Sequence, residues 1–223
     1  MKNIITFALA ILMVTAFQSC DNASANEASM LTGKNKTEKK ASLTNAYKVG
    51  DKVSDFSLKN IDGEMVSMSD YADAEGFIVV FTCNTCPYSK MYEDRLKSLS
   101  AKYANDNWPL IAIQPNDPAV QPGDSYDEMV SYASAQGFNF PYLFDEGQKE
   151  YPKWGAARTP HVFIVEKTDD GNLLRYIGAA DDNARDESKV TVNYVDKTIA
   201  SIRAGETVDP DFTKAIGCTI KTK

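Results

Sequence analysis

The sequence predicts a three-layer α/β domain with a mixed central β-sheet, helices on both faces and a β-hairpin at its N-terminal side. Three observations carry that prediction. Residues 77–81 are continuously apolar and rich in β-branched side chains, the pattern of a central strand covered on both faces. Directly after them come Cys83-Asn84-Thr85-Cys86-Pro87 and then Tyr88, Tyr92, Leu96, Leu99 and Tyr103, spaced by three and four as one buried face of a helix. Before them, 55–58 and 65–68 alternate polar and apolar residues around Asp62-Gly63, the signature of a hairpin turn.

The rest of the chain continues the alternation. Residues 110–113 form a second buried strand, 125–136 a helix, and 142–144 a short strand. A helical turn over 148–154 precedes Thr159-Pro160 and a strand over 161–166. The run Asp169-Asp170-Gly171-Asn172 turns the chain into an antiparallel partner at 173–177. Val192, Val195, Ile199 and Ile202 mark a last helix, stopped by Gly205.

The chain has 223 residues, 43% hydrophobic and 25% charged, enough for one core plus appendages. Its net charge of -7 argues against a nucleic-acid surface, which needs clustered Lys and Arg. The basic run 34–40 lacks aromatic residues to stack on bases and fits a solvated tether. Lys2 precedes an apolar run over 4–17, too short to span a bilayer comfortably but suited to a signal peptide. The run ends in Ser19-Cys20 and resembles a bacterial lipoprotein signal, with Cys20 as the lipidated residue. It departs from that pattern at Phe17 and Gln18, where Leu and a small residue are usual. A plain secretory signal cleaved nearby is the alternative. Either places the domain outside the cytoplasm, where disulfides persist. The expected organisation is a signal over 1–20, a flexible tether over 21–45, the α/β domain over 46–206 and a C-terminal tail over 207–223.

The chemistry sits in the cysteines. A helix start has unpaired backbone N–H groups and a partial positive charge, both of which stabilise a thiolate. Cys83 is therefore expected to be the exposed, low-pKa nucleophile, with Cys86 one turn deeper to resolve it. Pro87 suits the first helical turn, where a missing N–H costs nothing. Two buried structural cysteines are the plainer alternative. A structural zinc site is disfavoured, because only Cys20, Cys218 and the single His161 remain as further ligands.

The hairpin, the strand–Cys83-x-x-Cys86–helix unit and Thr159-Pro160 ahead of a strand together resemble the thioredoxin-like superfamily. Within it the redoxin branch fits best: peroxiredoxin-like proteins and membrane-tethered thioredoxins of the TlpA and ResA type. Gln114-Pro115-Asn116-Asp117-Pro118 and Gly217-Cys218-Thr219-Ile220-Lys221 are similar to a peroxiredoxin-like group that carries a C-x-x-C pair.

The resemblance implies an extracytoplasmic thiol-disulfide oxidoreductase, membrane-anchored through its N-terminal lipid. Its substrates would be protein dithiols and disulfides, exchanged with a membrane thiol-disulfide relay. It implies no cofactor beyond the Cys83–Cys86 disulfide, and no nucleic acid. Pro160 would be a cis-proline facing the cysteine pair, leaving the backbone of Thr159 free to pair with an extended substrate. An ordinary trans proline is the alternative. Asn84 and Thr85 would influence the redox poise.

Two departures matter. The buried carboxylate that thioredoxins carry in the preceding strand is replaced by Phe77, so water or His161, beside Pro160, is the candidate proton acceptor. The peroxide-pocket positions of a peroxiredoxin hold Cys83 and Val79 if Cys86 takes the peroxidatic place, and Arg158 has no assigned role there. Peroxidase chemistry is thus the first alternative. The second is copper binding of the Sco type through Cys83, Cys86 and His161, although that family spaces its cysteines by three. Cys218 is expected to be a packed tail residue, with a third redox thiol as its alternative.

Overall fold

The computed structural model describes residues 45–223. The segment read as a signal, with Cys20, and nearly all of the expected tether lie outside the described residues.

The strand read over 77–81 is β4 (Gly76–Phe81), buried at every position. The fold grows outward from it. Chain order before it is β1 (Lys52–Val53), β2 (Leu58–Asn60) and β3 (Met65–Val66). After it come α1 (Pro87–Tyr103), β5 (Leu110–Gln114), α2 (Tyr126–Gln136), β6 (Tyr142–Phe144), α3 (Tyr151–Trp154) and β7 (Arg158–Thr159). The chain closes with β8 (His161–Thr168), β9 (Gly171–Gly178), α4 (Tyr194–Ala204) and β10 (Cys218–Thr219).

Eight strands form one mixed sheet in the order β1-β9-β8-β4-β5-β6-β2-β3. β4, β5 and β6 run parallel, while β8 pairs antiparallel with β4 and β9 with β8. The hairpin is present but shorter than expected: β2 and β3 pair around Gly63 at φ 93°. Asp55, expected within its first strand, instead accepts N–H bonds from Met68 and Ser69 beyond the turn.

The two parallel crossovers place α1 and α2 on the same face, as equal handedness requires. Tyr92, Leu96, Leu99 and Tyr103 of α1 share that core with Met129 and Ala133 of α2 and with Val195 and Ile199 of α4. The opposite face is covered by Tyr151 and Trp154 of the single-turn α3 together with Phe56, Met68 and Ile220. Helices do lie on both faces, but unequally.

The α2 boundary has its own logic. The Ser125 hydroxyl caps the helix by accepting the Glu128 N–H, and Gly137 ends it at φ 63°, a conformation L side chains rarely adopt. Residues 207–223, set apart above as a tail, pack onto the domain. Val208, Ala215 and Ile220 are buried, and β10 forms a second sheet with β7.

Candidate active site

β4 ends where the Thr82 N–H bonds to the Ile113 carbonyl at 2.9 Å, and the cysteine loop leaves the carboxyl ends of two parallel strands there. That is the customary ligand position in such sheets. Cys86 is the N-cap of α1 and Pro87 its first residue, so the helix begins at the second cysteine. Cys83 lies outside it, in the loop.

This shifts the chemistry. Sequence reasoning placed the exposed thiolate at Cys83, but Cys83 and Cys86 are only 4% and 3% exposed. The Cys86 pKa is lowered, first by the neighbouring Cys83 thiol and then by Cys218 and the Ser89 N–H, against the cost of burial. The Cys83 pKa is raised by its neighbour Cys86, by burial and by the charge of Asp124, with the Thr159 hydroxyl opposing. The Thr159 carbonyl, 3.1 Å from Cys86 Sγ, favours the protonated thiol. Opposing it is the positive end of α1, whose N-cap is Cys86. The helix end and the Asp124 charge favour the pair's charge on Cys86, while the Thr159 hydroxyl beside Cys83 Sγ and the Thr159 carbonyl beside Cys86 Sγ act the other way.

The Thr159–Pro160 peptide is cis, and Thr159 is fully buried against both sulfurs. Its hydroxyl lies 3.3 Å from Cys83 Sγ. The expectation that its backbone is open to substrate is not met. β10 already pairs with β7, with Cys218 opposite Thr159. Cys218, expected as packing, thus stands beside the cysteine pair and is only partly buried. Its pKa is raised to about 11, by burial first and then by its neighbour Cys86, with Lys221 opposing.

A buried polar network supports the loop from below, and sequence reasoning missed it. Asp124, fully buried, accepts the N–H groups of Asn84 at 2.9 Å and Thr85 at 3.1 Å. It also accepts the Thr85 hydroxyl at 2.8 Å and the Asn116 amide at 2.6 Å. Gln114 donates to the Asp124 and Asn116 carbonyls. Asn84 bonds the Gly123 carbonyl at 3.0 Å and receives the Tyr142 hydroxyl at 2.9 Å. Asn84 and Thr85 are therefore the handles by which a carboxylate fixes the loop. Gly123 packs so tightly that a Cβ there would lie 2.8 Å from the Thr85 methyl. The available signal was the polar run 114–117 directly after an apolar strand.

His161 does not join the sulfurs. It follows the alternation of β8, tilted against Phe163 with ring centroids 4.6 Å apart, on the face away from α1. Its Nδ1 accepts the Ala157 N–H at 3.3 Å. Burial alone lowers its pKa to about 4, with no sulfur contributing. Among the described residues no hydrogen bond joins it to a sulfur, and no three His, Cys, Asp or Glu side chains converge as metal ligands. That removes the arrangement the copper alternative needs. Phe77 is buried as expected, with no carboxylate in its place. Arg158 reaches the tail, donating to the Gly217 carbonyl at 3.2 Å and the Thr219 hydroxyl at 3.3 Å.

A crystal structure of a hypothetical protein from Sinorhizobium meliloti 1021 is similar with TM-score 0.72 and 26% identity, over 80% of this chain and 97% of that one. An uncharacterised conserved protein from Geobacillus kaustophilus gives 0.71 and 30%, over 80% and 94%. Peroxidoxin BcpB from Mycobacterium tuberculosis, at TM-score 0.53 and 17% identity over 70% of this chain and 97% of that one, shares the fold. Two Mycobacterium tuberculosis sequences provisionally named as peroxiredoxins are 23% identical over 107 residues, 48% of this chain and 63% of theirs. The chain thus spans less than two thirds of the length of these curated relatives. Residues 49–173, more than half of the chain and including Cys83, Cys86, Asp124 and Thr159, match the AhpC/TSA family, and the chain belongs to that family.

Proposed function

We propose that this protein is a thiol-disulfide oxidoreductase whose redox group is the Cys83–Cys86 pair. The observation that supports this most is the joint position of the two sulfurs. Both lie against Thr159 of a cis-proline loop, Cys83 Sγ at 3.3 Å from its hydroxyl and Cys86 Sγ at 3.1 Å from its carbonyl oxygen, and Cys86, with its lowered pKa, caps a helix.

Cys86 thiolate attacks one sulfur of an external disulfide, forming a mixed disulfide and expelling the other half as a thiolate. Consumption of the Cys86 charge removes one of the influences that hold the proton on Cys83. Cys83 then deprotonates, attacks Cys86 Sγ and releases the reduced substrate, leaving the Cys83–Cys86 disulfide. Two thiols are oxidised and one external disulfide is reduced. Because both sulfurs are buried, the two-residue β10 must part from β7 before a substrate reaches them. Asp124, through Asn84 and Thr85, holds the loop in register for the transfer. The substrates are protein disulfides and dithiols. The site of action is extracytoplasmic, with a lipid on Cys20 as anchor and a membrane thiol-disulfide relay as redox partner.

The test is turnover of a protein disulfide, such as insulin, driven by a dithiol reductant. Wild type should catalyse reduction, and Cys86→Ser should abolish it. Full activity in Cys86→Ser would refute the assignment.

A second reading has one observation in its favour: the family, with relatives named as peroxiredoxins. The same Cys86 thiolate could attack a peroxide. Against it, the positions that shape a peroxide pocket hold Cys83 and the sheet-buried Val79. Stopped-flow mixing of reduced protein with hydrogen peroxide separates the two readings, since a fast second-order step would favour the peroxidase.

A further inference from the structure

Thr159 is surrounded by three cysteines. Its hydroxyl lies 3.3 Å from Cys83 Sγ, its carbonyl oxygen lies 3.1 Å from Cys86 Sγ, and its strand partner is Cys218. Cys86 and Cys218 are thus neighbours across the Thr159 backbone, and each bears on the other's ionisation.

The position of Cys218 is built by its neighbours. The Lys221 N–H donates to the Asn116 side chain at 2.8 Å, and its carbonyl accepts the Asp117 N–H and the Gln148 amide, each at 2.9 Å. Ile220 inserts into the core beneath the sheet. Gly217 lies so close to the cis-proline loop that a Cβ would meet the Thr159 carbonyl oxygen at 2.2 Å. The tail is thereby tied to the same Asn116 that bonds Asp124.

The two neighbours of Cys86 are not equivalent. Cys83 is almost fully buried and faces the Asp124 carboxylate, which opposes its ionisation. Cys218 is partly open to solvent and feels the Lys221 ammonium, which favours it. We propose that Cys218 is a resolving thiol that forms a disulfide with Cys86 during turnover, extending the buried pair into a three-thiol relay that ends at the surface.

This rests on the disulfide-exchange reading and specifies how it is completed. Cys86 thiolate attacks R–S–S–R′, forming Cys86–S–S–R and releasing R′–S⁻. Cys218 gives its proton to solvent, its sulfur bonds to Cys86 Sγ, and R–S⁻ leaves. Two electrons have passed from two protein thiols to one external disulfide. Attack of deprotonated Cys83 on Cys86 then expels Cys218 as a thiolate, moving the disulfide inward with no change in electron count. The reverse step presents it again at Cys218, where an external thiol can meet it.

The test uses the full chain with Cys83→Ser, reduced and then mixed with oxidised glutathione. Samples are quenched with acid, alkylated and mapped by mass spectrometry. A linked Cys86–Cys218 peptide should form, and the glutathione adduct on Cys86 should be short-lived. With Cys83→Ser and Cys218→Ser together, the adduct should persist at least about tenfold longer, because its intramolecular resolving thiols are gone. Equal adduct lifetimes in the two variants would overturn the proposal. Wild-type protein under partial oxidation gives the same readout without relying on either variant folding: a linked Cys86–Cys218 peptide supports the relay, and its absence at every stage of oxidation overturns it. Failure of the underlying reading looks different, since then no adduct forms on Cys86 in any variant.

Discussion

Replacing Asp124 by Asn keeps the shape of a fully buried side chain but removes the charge beneath the cysteine loop. Four donors converge on the carboxylate: the N–H groups of Asn84 and Thr85, the Thr85 hydroxyl and the Asn116 amide. A hydrogen bond to a charged group contributes roughly 1.5–3 kcal/mol against about 1 for a neutral one, so the two backbone bonds together lose roughly 1–4 kcal/mol. The new amide also turns one acceptor into a donor. It must then face the Asn116 amide or give up another partner, and an unmatched buried donor costs about 1–3 kcal/mol. The expected destabilisation is about 3 kcal/mol, a large share of a domain's usual margin. The chemical effect runs the other way. Without the nearby negative charge, the raised pKa of Cys83 falls. Urea unfolding of reduced protein measures the first effect. Site-resolved alkylation of Cys83 by iodoacetamide across pH, followed by mass spectrometry, measures the second. An unfolding midpoint and a Cys83 profile both indistinguishable from wild type would refute the role given to Asp124.

Other perturbations probe separate parts of the account. Gly217→Ala places a methyl 2.2 Å from the Thr159 carbonyl oxygen, which should push β10 off β7 at a cost of about 1–3 kcal/mol. Cys86 alkylation should accelerate with it, and an unchanged rate would contradict the covering role of the tail. His161 has a folded-state pKa of about 4 against 6.5 unfolded. Its contribution to stability is therefore full above pH 6.5 and is lost as pH falls toward 4. Relative to His161→Asn, wild type should lose about 2.5 kcal/mol of unfolding free energy between pH 7 and pH 4.5. Parallel pH profiles would refute the burial of a neutral imidazole. Arg95 and Asp181 form a buried ion pair at 2.8 Å. Arg95→Met should cost about 3–5 kcal/mol by leaving Asp181 without its cation. Adding Asp181→Asn should recover part of that loss, and additive losses in chemical unfolding would contradict the pairing.

The fold was legible where one local rule dominated. The apolar run of β4, the three-and-four spacing of α1 and the glycine that stops α4 each follow from burial or backbone freedom alone. The lopsided layering was not, because which face a crossover helix covers depends on strand order. At the site, the pair Cys83 and Cys86 and the cis bond before Pro160 followed from motif and resemblance, whereas the covering of the Thr159 backbone by β10 did not. The burial of Cys83 and its place outside the helix did not, because they turn on whether the helix starts at the first cysteine or the second. Asp124 lies 38 positions beyond Cys86, and only the close approach of the Gly123 loop brings it under Asn84 and Thr85. Cys218 was hidden for a similar reason, since a two-residue strand carries almost no periodicity. His161 misled through adjacency: side chains alternate along β8, so a residue next to Pro160 can face away from what Pro160 touches.

The most direct test equilibrates Cys218→Ser protein against glutathione buffers of graded ratio, with alkylation and peptide mapping at each point. Removing Cys218 separates the outcome from the relay. A single two-electron transition should convert free Cys83 and Cys86 into one disulfide between them, and further substitution of Cys86 by Ser should abolish it. Folded protein in which both thiols remain free to alkylate at every ratio would contradict the claim that this pair is the redox centre.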